Sequence, residues 1–142
     1  YKRQVYTMQL DGDAVDFGAV SVGNPHVVLE VADVTAAPVH EWGQRLEHHP
    51  AFPERTNVGF AQRVDADRIA LRVWERGSGE TRACGSGACA AAAVLRARGL
   101  AAERVTVTLP GGALTIAWPG AGQQLWMTGP ATRVYEGTIA ST

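Results

Sequence analysis

Glu75 to Leu95 read ERGSGETRACGSGACAAAAVL, and the rest of the chain is organised around them. The stretch leaves a strand at Glu75, crosses a glycine-rich turn, reaches Cys84 and enters a helix. Ala88, Cys89, Ala90, Ala91, Ala92, Ala93, Val94 and Leu95 leave that helix no polar stripe. A helix apolar on every face is buried rather than laid on a surface. Arg96 and Arg98 suit the negative end of its dipole, and Gly99 suits its C-terminal cap. The pattern predicts a small alanine-rich helix through the middle of the molecule, with a cysteine at its start.

That start carries chemistry. Gly85, Ser86 and Gly87 place unpaired backbone N–H groups at the positive end of the dipole, a ready anion site. The same field favours thiolate over thiol, so Cys84 is expected to be more acidic than a free cysteine. A thiolate beside a carboxylate-binding loop could take a proton from the carbon next to that carboxylate. Equally, the segment reads as a glycine-rich helix start holding a small buried hydrophobe, and the local pattern leaves both readings open.

The 142 residues suffice for one domain with a real core. A formal charge of -1 gives no general attraction to nucleic acid or anionic membrane. No apolar run approaches the roughly 20 residues of a membrane span, and no signal-peptide pattern is present. The two cysteines are too few for a disulfide framework. Separated by ~7.5 Å along a helix axis, they exceed the usual disulfide span of ~7 Å. Reduced thiols in a cytoplasmic protein are the simplest reading. Beginning at Tyr1 rather than methionine, the chain is expected to be a piece of a longer one. Lys2 is the only lysine, and a lysine beside the terminus is a poor candidate for an aldimine with pyridoxal phosphate. Chemistry at an amino-acid α-carbon would have to manage without that cofactor.

In chain order, residues 5–10 read as a strand, 11–13 as a turn and 15–22 as a second strand. Gly23-Asn24-Pro25-His26 reads as a turn, with residues 27–31 returning as a strand. Such a turn puts Asn24 and His26 at one sheet edge; taken alone they read as turn chemistry and a hydrogen-bonded ring. Residues 33–49 hold a helix through Val39, Trp42, Gly43 and Leu46, closed by Pro50 and Pro53. His40, His48 and His49 lie on its polar side without metal-ligand spacing, and no metal site is expected. Residues 56–64 read as a strand interrupted at Gly59, with Asn57 at its mouth. Residues 69–75 alternate, Ile69, Leu71 and Val73 on one face and Arg72 and Trp74 on the other, and deliver Glu75 and Arg76 to the glycine-rich turn. After the central helix come strands at 105–109 and 113–118 around a wider Pro110-Gly111-Gly112 loop, a short strand at 125–128, and a last strand at 132–139. The economical arrangement is α+β: a curved, mainly antiparallel sheet wrapped around the buried central helix.

Four separated motifs then converge on one family. GNPH at 23–26, ERTNVGF at 54–60, ERGSGET at 75–81 and ACGSGAC at 83–89 together resemble the C-terminal half of diaminopimelate epimerase. LPGG at 109–112 and TGPA at 128–131, followed by Val134-Tyr135, extend the resemblance over essentially the whole chain. Related proline racemases share the fold but lack the ERGSGET lead-in.

The resemblance implies cofactor-independent inversion at one α-carbon of diaminopimelate, between the LL and meso forms, in lysine and peptidoglycan-precursor biosynthesis. Two cysteines would face each other across the substrate, one as thiolate base and one as thiol acid. Cys84 matches the cysteine of the C-terminal half. His26 and Glu75 match residues that support its protonation chemistry. Asn24, Asn57, Glu75 and Arg76 match substrate contacts, and Gly85 and Ser86 match backbone donors to the reacting carboxylate. Tyr135 matches a tyrosine associated with a homodimer contact. The N-terminal half, with the second cysteine, is absent. The whole chain, 1–142, is therefore expected to be one domain of a two-domain enzyme, inactive alone, with its final strand at 132–142 packing on the missing half. Cys89 is expected to be a core residue. Two other readings stay open: a non-catalytic carboxylate-binding or assembly module of the same fold, and a cysteine hydrolase using Cys84 and His26, which lacks an orienting residue.

Overall fold

A computed structural model describes residues 5–141. The elements in chain order are β1 (Tyr6–Leu10), β2 (Asp13–Ser21), β3 (Pro25–Glu30), α1 (Val39–Glu47), β4 (Asn57–Arg63), β5 (Arg68–Glu75), β6 (Gly79–Thr81), α2 (Gly85–Ala97), β7 (Arg104–Leu109), β8 (Gly112–Ala117) and β9 (Trp126–Thr128). Among the described residues they form one nine-stranded sheet in the order β1-β2-β3-β4-β5-β7-β8-β9, with β6 paired to the end of β5. All pairs are antiparallel except β3–β4 and β5–β7. Parallel neighbours need a crossover. α1 lies in the connection from β3 to β4, and β6 and α2 lie in the connection from β5 to β7.

The expected architecture is present. α2 touches β2, β3, β4, β5, β7 and β8, and every residue from Gly87 to Leu95 is buried. Its core partners are Val28, Ala61, Ile69, Leu71, Val73, Val105, Val107 and Ile116. The opposite sheet face carries Val27, Leu29, Val58 and Phe60, which pack with Val39 and Leu46 of α1. β3 therefore reads as a continuous apolar run because both its faces are covered. At its far end α2 stops as Gly99, at φ +73°, donates to Arg96 O over 2.9 Å and Leu100 donates to Leu95 O over 2.9 Å. That bond pair is the glycine-terminated stop expected from the sequence.

Four local expectations change. Pro25 and His26 belong to β3 rather than to a turn, since proline is tolerated as a strand's first residue. β4 runs through Gly59 without interruption. The β7–β8 hairpin is tight: Leu109 pairs with Gly112, so only Pro110 and Gly111 form the loop. The last strand expected at 132–139 is not formed, and no strand occupies the described residues 129–141. A strand needs a neighbour's N–H and C=O groups, and this segment runs exposed, with Val134 at 87% and Ile139 at 94% exposure. β6 was hidden within what reads as a turn, because three residues show no periodicity.

Candidate active site

Cys84 is the N-cap of α2, in extended geometry at φ −146° and ψ 102°. Its Sγ accepts from the Gly87 N–H over 3.3 Å, so one helix-start donor is spent on the sulfur. The Gly85 and Ser86 N–H groups precede the first intrahelical bonds and stay available to an anion. Ser86 Oγ lies 3.7 Å from Cys84 Sγ and 3.1 Å from His26 Nε2, and accepts from Asn24 Nδ2 over 3.3 Å. His26 Nε2 also lies 3.1 Å from Asn24 Oδ1. An amide oxygen only accepts, so Nε2 carries the imidazole proton. Ser86 Oγ accepts from Asn24 Nδ2 and shares the single Nε2 hydrogen with Asn24 Oδ1, so its own hydrogen is free to point at the sulfur. His26 Nδ1 is buried with no partner, an unused acceptor.

The chain brings these residues together through register. His26 sits opposite Asn57 across the parallel β3–β4 pair. Asn57 is 5% exposed; its Nδ2 donates to Pro25 O over 3.0 Å and its Oδ1 accepts from the Arg76 N–H over 2.9 Å. The side chain expected to touch substrate is thus also a brace between β3 and the β5–β6 loop. Arg76 Nη1 donates to Glu54 O over 3.2 Å. Glu75 closes β5, pairs with Gly79, and accepts from Thr81 Oγ1 over 2.5 Å.

Electrostatics reverses one expectation. Burial pushes the Cys84 thiol above the ordinary cysteine range. The Ser86 hydroxyl and the Gly87 N–H pull it down, and the negative Glu75 pushes it up again. The helix start does act on the sulfur, but a thiol 6% exposed beside a carboxylate loses more by desolvation than it gains from the dipole. Burial likewise lowers His26 to about 4, with Glu75 opposing and Arg76 reinforcing the shift, so the ring is neutral near pH 7. Cys89 is raised too, by burial and then by Cys84.

Val22, Gly85, Ser86, Cys89, Leu125 and Met127 line an open cavity of about 450 Å³ at the start of α2. Cys89, expected in the core, is buried but forms part of this wall. A Cβ on Gly85 would lie 3.1 Å from Met127 Sδ, so a side chain there would crowd the cavity. Tyr135 stands apart in the exposed tail. Sequence reasoning missed Thr81, which holds Glu75, and Glu47. A signal for Glu47 existed: Val39, Gly43, Leu46 and Glu47 share the buried face of α1, and a carboxylate on an apolar stripe needs partners.

The profile of the family described as diaminopimelate epimerase matches residues 18–134. The diaminopimelate epimerase of Pseudomonas fluorescens is 57% identical over 134 residues, covering 94% of this chain and 49% of the relative. That of Azotobacter vinelandii is 58% identical over the same shares. The chain spans about half the length of the curated relatives it matches. Among solved structures, phenazine biosynthesis PhzF-family proteins of Enterococcus faecalis and Bacillus anthracis each align with TM-score 0.51 at 21% identity. They cover 66% and 80% of this chain and 34% of their own, a likeness of fold.

Proposed function

The chain belongs to the diaminopimelate epimerase family, and from that membership we propose that it supplies one face of a cofactor-independent centre interconverting LL- and meso-diaminopimelate. The observation that carries the reading is the hydrogen-bonded line Cys84–Ser86–His26–Asn24 at the start of α2, opening on a cavity. In this proposal a thiolate from the absent half breaks the Cα–H bond, and the electron pair drains toward the substrate carboxylate. The Gly85 and Ser86 N–H groups meet that carboxylate where its charge grows. Cys84, a neutral thiol, delivers its proton to the opposite face, inverting the carbon and leaving a thiolate. The Ser86 hydroxyl and Gly87 N–H stabilise that thiolate, which is the base of the reverse reaction. Arg76, with Asn24 and Asn57 nearby, is proposed to hold the distal amino-acid end. The remaining parts of the proposal are the N-terminal half as obligate partner, a homodimer contact through Tyr135, a tail packed on that half, and a cytoplasmic setting.

The test joins this chain to the N-terminal half of the Pseudomonas fluorescens relative and follows LL-to-meso conversion by circular dichroism. The chain alone is expected to give no turnover and the joined protein to turn over. Cys84→Ser should lower the rate at least about a hundredfold, since a hydroxyl is a far weaker acid than a thiol. Cys89→Ala should keep most of it. Undiminished turnover by the Cys84→Ser protein would place the chemistry elsewhere.

A further inference from the structure

Glu47 is a carboxylate at the end of α1, 3% exposed, in a place where an unpartnered charge would be costly. It is not unpartnered. Oε2 accepts from the indole Nε1 of Trp74 over 2.8 Å, and Oε1 accepts from the backbone N–H of Gly77 over 2.8 Å. Arg55 Nη1 stands 3.7 Å from Oε1. The two bonded residues flank Glu75 and Arg76, so one carboxylate grips the chain on both sides of them. The grip is firm at each end. The Trp74 ring lies against α1, where a Cβ on Gly43 would fall 2.5 Å from its Cγ, and His40 meets it edge-on at 5.1 Å between centroids. Gly77 sits at φ +78°, a left-handed turn position. Asn57 Oδ1 takes the backbone N–H of Arg76, between the two gripped residues.

We propose that Glu47 is a positioning residue, whose buried carboxylate brackets Glu75 and Arg76 and holds them against the start of α2. The inference deepens the proposed function, on which the importance of Glu75 and Arg76 rests. Charge is needed as well as shape. A carboxylate offers acceptors at both oxygens, whereas an amide has one acceptor and one donor group. Glu47→Gln would therefore turn an N–H donor against either Trp74 Nε1 or Gly77 N. Burial alone would raise the Glu47 carboxyl, but the Trp74 and Gly77 hydrogen bonds, with His48 and Arg55, hold it below the usual range, so it is ionised near neutral pH.

The position of Glu75 can be read at the Cys84 sulfur, whose proton affinity its charge increases. Glu75 acts on that sulfur from the end of β5, with Cys89 along the helix and neutral His26 behind Ser86. The experiment measures the pH profile of iodoacetamide alkylation in the 142-residue chain, with peptide mapping to separate Cys84 from Cys89. Glu47→Gln should move the Cys84 profile to lower pH, speeding labelling on the rising limb about threefold or more. The shift should vanish when Glu75→Gln is already present, because the effect travels through that charge. Trp74→Phe, which removes the indole donor together with part of the ring and leaves the Gly77 bond to Glu47, should show the same dependence in weaker form, and it carries the test if circular dichroism shows Glu47→Gln unfolded. A folded variant with an unchanged Cys84 profile, or an equal shift in both Glu75 backgrounds, would overturn the proposal. A Glu75-dependent shift in a protein that shows no epimerase turnover when joined to its other half would leave the bracket standing and defeat the function.

Discussion

One hydroxyl away from Cys84 lies an imidazole kept neutral by its surroundings. His26 is 2% exposed, and burial holds its folded value near 4 against an ordinary 6.5. The consequence for stability has a definite sign. Between those two values the unfolded chain binds more protons at this site than the folded one, so stability rises with pH across the window. The contribution is complete above 6.5 and is lost progressively as pH falls toward about 4. Denaturant titrations from pH 4 to 7 should show that slope, and His26→Gln should flatten it. A slope unchanged by the substitution would mean that His26 takes up its proton as readily in the folded state as in the unfolded one. The motifs had singled out Asn24, His26, Glu75 and Cys84 by position, but not the acidity of the thiol. A helix start favours thiolate, and only the depth of burial and the nearness of Glu75 decide against it.

β2 and α2 approach each other closely at Gly18. A Cβ there would stand 2.4 Å from Val94 Cγ1, a distance real side chains do not tolerate. Gly18→Ala should therefore destabilise the chain by roughly 1–3 kcal/mol through overpacking. Val94→Ala removes the clashing methyls, so the double variant should be less destabilised than the two single effects added together. Additive losses in urea unfolding would show that the strand shifts rather than the side chains colliding. α2 and β5 were the most legible elements, because each has a pattern of its own period: an unbroken apolar run and a strict alternation. The β6 strand and the tight β7–β8 loop were not, since a three-residue strand or a two-residue turn is defined by its partner.

Across the molecule, two cores share one sheet. α2 fills the curved face, and α1 covers the central strands on the other. Beyond β9 the chain leaves both. Residues 129–141 are exposed throughout, with Tyr135 at 84%. A segment that buries nothing contributes little, so ending the chain after Ala131 should change its unfolding free energy by less than about 0.5 kcal/mol. A larger loss in denaturant titration would show that the tail docks on a second copy. Trp126 and Met127 are also exposed, 62% and 51%, on the strand that borders the cavity. Apolar side chains gathered beside an open site fit the missing half that the proposed function calls for.

The sequence by itself determined the buried helix, the strands that alternate or run apolar, and the family, because periodicity, helix caps and spaced motifs are local and survive without a partner. Tertiary structure decided the rest. It set which strands run parallel, that Asn57 braces β3 to the β5–β6 loop, that Glu47 brackets Glu75 and Arg76, that the last segment forms no strand in this chain, and that Cys84 holds its proton. Each of these depends on desolvation or on a hydrogen-bond partner distant in sequence, and neither burial nor a distant partner is written in the residues adjacent along the chain.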